Sequence, residues 1–457
     1  MDLFQTALAL TSLVTAVITL KARGAAADAA TKKPQDFNTF QTSFLITYYI
    51  GVAADWLQGP YVYALYSSYG FSKHDIAVLF VGGFGASMIF GTIAGAIADK
   101  LGRKKACQLY CVLYIVSCAT KHGKNYNVLM AGRVTGGIAT SLLFSAFDSW
   151  LVCEHNTRGF DASLLSDTFS LMYFSNSLVA ILSGVVAQAA ADALPLTKAH
   201  GYWHYGGYCA PFDLSAAILV VDLVLITTTW RENYGSGGGD SITDDDSNAK
   251  KRGITLKAVA GDWRIWLLCT VVSLFEGSMF IFVFNWTPAF TSQVRSPPFG
   301  LIFATFMVAC MGGSSLFGIL SSRKVRSEST LTSIMCVAAI ALATPLVTSN
   351  VVLIYAGFLL FEGCVGIYWP AIGTIKSRIV PEKMRATIYN IFRIPLNGVV
   401  LAILLNSLDV VTAFMWCSIL LVVGFLAACV LMRSQRESVE SSDGSDSLID
   451  NASDADA

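Results

Sequence analysis

Charge is what this chain has least of. Only 14% of its 457 residues are Asp, Glu, Lys or Arg, against 54% that are hydrophobic. A soluble protein carries about 25% charged residues. So few charges cannot cover a water-facing surface of this size, but they suffice where lipid solvates most of the outside. Neither sign is in excess, with 31 basic and 31 acidic residues, which removes the electrostatic case for a nucleic-acid partner. The cysteines form no CxxC pair and have no metal-ligand spacing. Most of them, such as Cys107, Cys111, Cys269 and Cys336, stand in apolar stretches as small packing residues. Cys209 alone reads as lying in an external loop, so no disulfide framework is expected. HExxH, a nucleophile elbow and a Walker loop are all missing. The histidines, His74, His122, His155, His200 and His204, fall at span edges or in loops. These absences argue against an enzyme and against a bound cofactor or metal.

What the chain has instead is long apolar runs. A membrane-crossing helix needs about 20 largely apolar residues and must satisfy its backbone internally. Such runs are read at 3–20, then at 40–67, 75–98, 105–121, 127–151, 164–193 and 212–230. Six more follow at 264–290, 299–321, 329–348, 351–376, 386–406 and 409–432. The expected fold is an all-α polytopic membrane protein. It divides into an N-terminal helix with its linker (1–37), a six-helix bundle (38–230), a polar linker (231–262), a second six-helix bundle (263–433) and a disordered acidic tail (434–457). The linker contains GSGGGD and DDD and reads as flexible and solvated. No Lys or Arg precedes the first span, while Lys21, Arg23, Lys32 and Lys33 follow it. A signal peptide carries its charge on the other side, so the first span is read as a retained helix with its N-terminus outside.

The basic residues test that topology. With Lys21 to Lys33 inside, the loops on the same side collect most of the remainder, including Lys100, Arg103 to Lys105, Lys250 to Arg252, Arg323 to Arg326, Lys376, Arg378, Lys383 and Arg433. Only Lys73, Lys121, Lys124, Lys198 and Arg295 fall outside. This is the positive-inside bias, and it puts the C-terminus in the cytoplasm. Two arginines, Arg133 and Arg393, fall within apolar spans. Arginine keeps its proton, so each needs a counter-ion, a carbonyl or water. The acidic residues within spans are Asp55, Asp148, Asp222, Glu276 and Glu362.

The loop Gly95-Ala-Ile-Ala-Asp99-Lys-Leu-Gly102-Arg103-Lys104-Lys105 joins the second and third core spans. It resembles the cytoplasmic GxxxDxxGRKK loop of the major facilitator superfamily. Gly318 to Arg326 stands at the matching place in the second half and keeps the glycine and the arginines but lacks the aspartate. A second echo pairs Gln58-Gly59-Pro60-Tyr61 with Glu276-Gly277-Ser278-Met279. Six blocks are similar to the molybdate-anion transporter family, a branch with an extra N-terminal helix. They are Ala54–Tyr61, Leu142–Trp150, Ile281–Pro288, Gly132–Gly137, Trp230–Tyr234 and Phe392–Leu396.

The resemblance implies two six-helix bundles with a site near the midplane, lined by the first, fourth, seventh and tenth core helices. It implies secondary active uptake of the molybdate oxyanion by alternating access, at the plasma membrane. Carriage of another anion or of a sugar, and a sensor that kept the fold, stay open. A divalent oxyanion favours forked, permanently charged donors. Arg133 and Arg393 are therefore the candidate anion ligands, with Tyr61, Asn285 and Tyr368 beside them. Arg133 stands near the outer end of its helix, so a gate is its other reading. Asp55, Glu276 and Glu362 are candidates for proton coupling or for fixed ion pairs. Asp99, Gly95, Gly102 and Arg103 form the expected latch, and Asp148 the inner gate. Asp222 receives no role. Gly91 and Gly95 read as a close-packing face, the aromatics Trp56, Tyr63, Trp286 and Trp369 as packing, and Pro60, Pro288, Pro370 and Pro395 as kinks. The sequon Asn285-Trp-Thr287 falls in a span and is discounted.

Overall fold

In lipid, an apolar run has one economical way to pair its own backbone groups, and this chain takes it. A computed structural model describes residues 2–24, 34–199, 201, 203–234, 261–380, 385–406 and 408–453. Helix α1 (Leu3–Gly24) is followed by α2 (Gln35–Gln58), α3 (Val62–Ser68), α4 (Lys73–Gly91), α5 (Ala94–Leu101), α6 (Arg103–Thr120), α7 (Tyr126–Thr157), α8 (Ala162–Ala193) and α9 (Ala210–Thr229). Then come α10 (Trp263–Thr291), α11 (Phe299–Ser322), α12 (Ser327–Leu342), α13 (Thr344–Val347), α14 (Val351–Ile379), α15 (Arg385–Leu405) and α16 (Val410–Ser453). Among the described residues, ten helices are long and apolar enough to cross a membrane. The strands β1 (Thr197–Lys198) and β2 (His204–Tyr205) form a short antiparallel hairpin in the α8–α9 connection.

Helix starts follow local chemistry. Ser72 and Asp75 form a capping box at α4, and Asn125, Asp161 and Asn350 each accept a backbone N–H in the first turn of α7, α8 and α14. Two expected spans are broken. The run 40–67 bends through a 3₁₀ turn at Gly59–Tyr61, because Pro60 removes a backbone donor. The run 75–98 divides into α4 and α5 between Gly91 and Ala94. Gly91 and Gly95 therefore do not share one helix, and a Cβ at Gly95 would meet nothing within 4 Å; the expected packing face is not there. The tail also departs from expectation. Helix α16 continues to Ser453, since extending a formed helix costs far less than starting one. The linker residues 235–260, together with Lys32, Lys33 and Lys383, lie outside the described residues.

Two compact units are present. The first comprises Met1–Ile242, Val283–Gly312 and Leu401–Val410. The second comprises Thr243–Phe282, Gly313–Val400 and Val411–Ala457. The first unit packs α7 against α4 and α6, and α9 against α2 and α6. Its core holds a stack in which the Trp150 and Trp230 ring centroids are 3.9 Å apart, with Phe44 lying on both. Helix α1 joins the same unit through Thr15, whose hydroxyl donates to the Val308 carbonyl at 3.1 Å. In the second unit Phe282 packs on Phe358, Phe361 and Phe414.

The close helix crossings sit at glycines the sequence reading passes over. In the first unit a Cβ at Gly137 would lie 2.3 Å from the Gly83 carbonyl oxygen. In the second, a Cβ at Gly313 would lie 2.0 Å from that of Gly363. The first pair joins α4 to α7 and the second α11 to α14, which are the second and fourth helices of each half. The duplication seen as a weak sequence echo thus recurs as the same backbone-to-backbone contact in each unit.

Candidate functional site

Each unit buries ionisable groups within its spans. In the first, Asp55 on α2 accepts a hydrogen bond from the Tyr114 hydroxyl, which also lies 3.4 Å from Thr140 Oγ1. Asp148 on α7 is half-buried and makes no hydrogen bond or ion pair with the described residues. Asp222 on α9 is fully buried beside the Cys111 thiol at 3.6 Å, and its Oδ1 has no partner among the described residues. Gly51 makes room for it, since a Cβ there would stand 3.1 Å from Asp222 Oδ2.

Arg133 is half-buried between α4 and α7. Its Nε donates to the Leu79 carbonyl at 3.2 Å and its guanidinium lies 4.9 Å from the Phe80 ring centroid. A carbonyl and an aromatic face meet part of its need for compensation. Tyr61 is buried and donates to Gln188 Oε1 at 2.9 Å, the same oxygen that accepts the Gly300 N–H at 2.9 Å. Four residues before Gln188, α8 meets α11 backbone to backbone at Gly184 and Gly300. Asn285 is buried in this unit, so its sequon is out of reach of modification. Trp56 donates to Asn176 at 2.9 Å, and Trp286 packs edge-on against Phe299 and Phe306.

The second unit contains a triad. Tyr368 on α14 is fully buried, stacks on Phe275 with centroids 4.1 Å apart, and donates to Glu276 Oε1 at 2.9 Å. Lys376, also on α14, brings its ammonium within 3.6 Å of the same oxygen. Eight residues on a helix rise about 12 Å. The tyrosine and the lysine converge on one carboxylate because the lysine stem leans back toward the helix N-terminus. By sequence position Lys376 belongs with the cytoplasmic loop cations; its ammonium is instead mostly enclosed and paired. Glu362 is buried and makes no hydrogen bond or ion pair with the described residues. Arg393 on α15 is exposed on its unit and makes no ion pair with the described residues.

The loop after α5 is tied down more thoroughly than its motif suggests. Arg103 forks onto Asp99 at 2.7 and 2.9 Å and donates to the Ser149 carbonyl at 3.1 Å. Gly102 adopts φ +107°. Residues 231–234, expected to begin a solvated linker, are part of this structure. Glu232 accepts the backbone N–H groups of Lys104 at 2.8 Å and Lys105 at 3.3 Å, capping α6. Lys104 Nζ in return donates to the carbonyls of Thr227 and Trp230 at the end of α9. Trp150 donates to the Arg231 carbonyl at 2.8 Å, and Asn233 to that of Trp150 at 3.2 Å. In the second unit the missing aspartate has a stand-in. Glu328 is buried and takes Arg378 at 3.4 Å and Arg326 at 3.7 Å.

Lys121, read as an external loop charge, is buried. Its ammonium reaches the Ser117 carbonyl at 3.3 Å and faces the rings of Tyr66 and Phe212. The next residue, half-buried, carries the titratable pair of this loop. His122 Nε2 lies 2.8 Å from Asp213 Oδ1, and Nδ1 lies 2.8 Å from the His204 carbonyl. The hydrogen bond to Asp213, then one to Cys209, raises its pKa from 6.5 to about 10. A pKa raised on folding adds stability that is complete below about pH 6.5 and lost as pH climbs through about 10. The melting temperature is therefore expected to fall between pH 7 and 10 more steeply in the wild type than in His122→Gln. Parallel curves in a pH series of melts would refute the assignment.

No three His, Cys, Asp or Glu side chains gather as a metal site among the described residues, and no disulfide joins the described cysteines. Residues 4–367 match a protein family described as sugar transporters with 12 transmembrane segments. The chain is 36% identical over 369 residues to the molybdate-anion transporter of Xenopus tropicalis, covering 79% of this chain and 77% of that one. It is 32% identical over 387 residues to the molybdate-anion transporter of Takifugu rubripes, covering 79% and 78%. Among solved structures it is similar to a peptide transporter crystallised with sulfate, at a TM-score of 0.66 and 12% identity, covering 87% of this chain and 94% of that one.

Proposed function

Since the chain belongs to the molybdate-anion transporter family of the major facilitator superfamily, we propose that it carries the molybdate oxyanion across a membrane by alternating access. It is a multi-pass membrane protein and a carrier, not an enzyme. The observation that supports an anion best is the positive charge within the spans: Arg133, Arg393 and Lys376. Charges within a span are costly, and a charged solute gives the protein a reason to keep them. A sugar, the class named for the matching family, is the second reading.

Arg393 is assigned as the principal anion ligand, because no carboxylate among the described residues claims its guanidinium. Arg133, already engaged by Leu79 and Phe80, is assigned to the gate at its end of the bundle, together with Tyr61, Gln188 and Gly300. Tyr368 is assigned to substrate binding in the second unit, and Asn285 to substrate binding in the first. The bundles 38–230 and 263–433 are the moving bodies, and the Asp99–Arg103 latch with Asp148 works at the inner end. Asp55, Glu276 and Glu362 are assigned to coupling, because a carboxylate within the bilayer needs either a cation or a proton as the carrier turns over. The positive-inside rule places the N-terminus outside and the C-terminus in the cytoplasm, and the plasma membrane is the proposed location.

Uptake of molybdate, sulfate and glucose in cells expressing the protein tests this reading. Molybdate uptake is expected in the wild type. Arg393→Gln, with surface expression verified, should lose tenfold or more, since a charged hydrogen bond contributes about 1.5–3 kcal/mol. Arg133→Gln should also be impaired. Near-normal uptake in both variants, or uptake of glucose alone, would sink the reading. Uptake that stays flat across external pH at constant membrane potential would remove proton coupling.

A further inference from the structure

We propose that Lys376 is the exchangeable cation of the anion site, held by Glu276 when the site is empty and taken over by the arriving oxyanion. This rests on the oxyanion reading above and assigns that reading a residue.

The geometry distinguishes a fixed partner from a movable one. Glu276 is anchored: Tyr368 donates to it at 2.9 Å, and Tyr368 is itself fully buried and stacked on Phe275. Lys376 is not anchored. Its ammonium stands 3.6 Å from Glu276 Oε1, longer than the roughly 2.7–2.9 Å of a charge-assisted hydrogen bond. Its other neighbour is the Tyr389 ring, 5.2 Å away at the centroid, and the nitrogen makes no hydrogen bond among the described residues. Three N–H donors on a four-carbon stem are thus enclosed, with 16% of the side chain exposed, and uncommitted.

Other enclosed cations among the described residues differ, Lys73 and Arg133 included, since each donates to a carbonyl. Lys121 donates to a carbonyl and lies between two rings. Arg103 has its guanidinium on Asp99 and Ser149. Both are held in place, whereas Lys376 is held only by charge. A divalent oxyanion outcompetes a single carboxylate for such an ammonium, since it offers twice the charge and several acceptor oxygens. Glu276 then acts as the competitor that sets affinity, and Tyr368 keeps it from following the lysine.

An ion pair that merely braces α10 against α14 would respond alike to loss of either partner. Exchange makes the two losses opposite. In uptake assays corrected for surface expression, Lys376→Gln is expected to raise the half-saturating molybdate concentration tenfold or more. Glu276→Gln, which keeps an acceptor for Tyr368, should lower it severalfold. The double variant should follow Lys376→Gln, and Lys376→Arg should recover part of the affinity. Molybdate binding to detergent-purified, monodisperse protein gives the same comparison without turnover. If the wild type takes up no molybdate, the oxyanion reading fails. If the wild type takes it up but both single variants shift the half-saturation in the same direction, or Lys376→Gln leaves it unchanged, the exchange fails while the reading stands.

Discussion

Gly313→Ala should leave little folded protein in the membrane, and Gly137→Ala should do the same. The added methyl at position 313 would lie 2.0 Å from the Gly363 carbonyl oxygen and 3.2 Å from the Ile367 nitrogen. At position 137 it would lie 2.3 Å from the Gly83 carbonyl oxygen and 3.0 Å from the Ser87 nitrogen. These neighbours are backbone, so no side chain can rotate away and the helices must separate. Overpacking of this kind costs about 1–3 kcal/mol and sometimes more, a large share of the roughly 5–15 kcal/mol by which proteins are stable. The loss is sharper in lipid, where close packing takes the place of a hydrophobic drive between helices. Gly318→Ala is the control, because a Cβ there meets nothing within 4 Å and alanine favours the helix by about 1 kcal/mol. Melting curves of detergent-extracted protein should rank Gly318→Ala at or above wild type and the other two well below. A Gly313→Ala protein that melts with the wild type would refute the crossing.

The second large effect concerns the latch. Glu232→Ala leaves the N–H groups of Lys104 and Lys105 without their carboxylate, and loss of such a cap costs about 0.5–2 kcal/mol. Gly102→Ala attacks the same contact from the other side. Its φ of +107° disfavours any Cβ, and that Cβ would stand 2.5 Å from the Glu232 carboxyl carbon. Each variant should reduce transport severalfold and lower the melting temperature. The double variant should be less damaging than the two losses added together, because removing the carboxylate removes the clash and leaves only the backbone strain. Strict additivity in a double-mutant cycle would show that the two residues do not meet.

Much of the local chemistry was legible beforehand. Asp99 at the end of α5 and Arg103 at the start of α6 belong to one loop motif, so their meeting across Gly102 was expected from the sequence. The helical membrane fold follows from apolar length, and the family from blocks in both halves. Less legible was the start of the linker. Residues 231–234 look polar and loose, yet Glu232 caps a helix that begins more than a hundred residues earlier. Glu328 replaces the missing aspartate of the second loop from a place no motif match would search. Lys376 reads as a loop cation because its Cα stands near a span end, while its stem carries the charge back to Glu276.

The division has one physical cause. Apolar length and local motifs act along one span or one loop, so sequence by itself determined the helical membrane fold and the family of this carrier. Which face of each helix meets another was decided only by tertiary structure. Lipid and protein interior are equally apolar, so these helices carry no polar stripe to mark their packing side. That is why the sequence showed Arg133 and Arg393 as cations within the spans, and only the folded chain showed Lys376 beside Glu276.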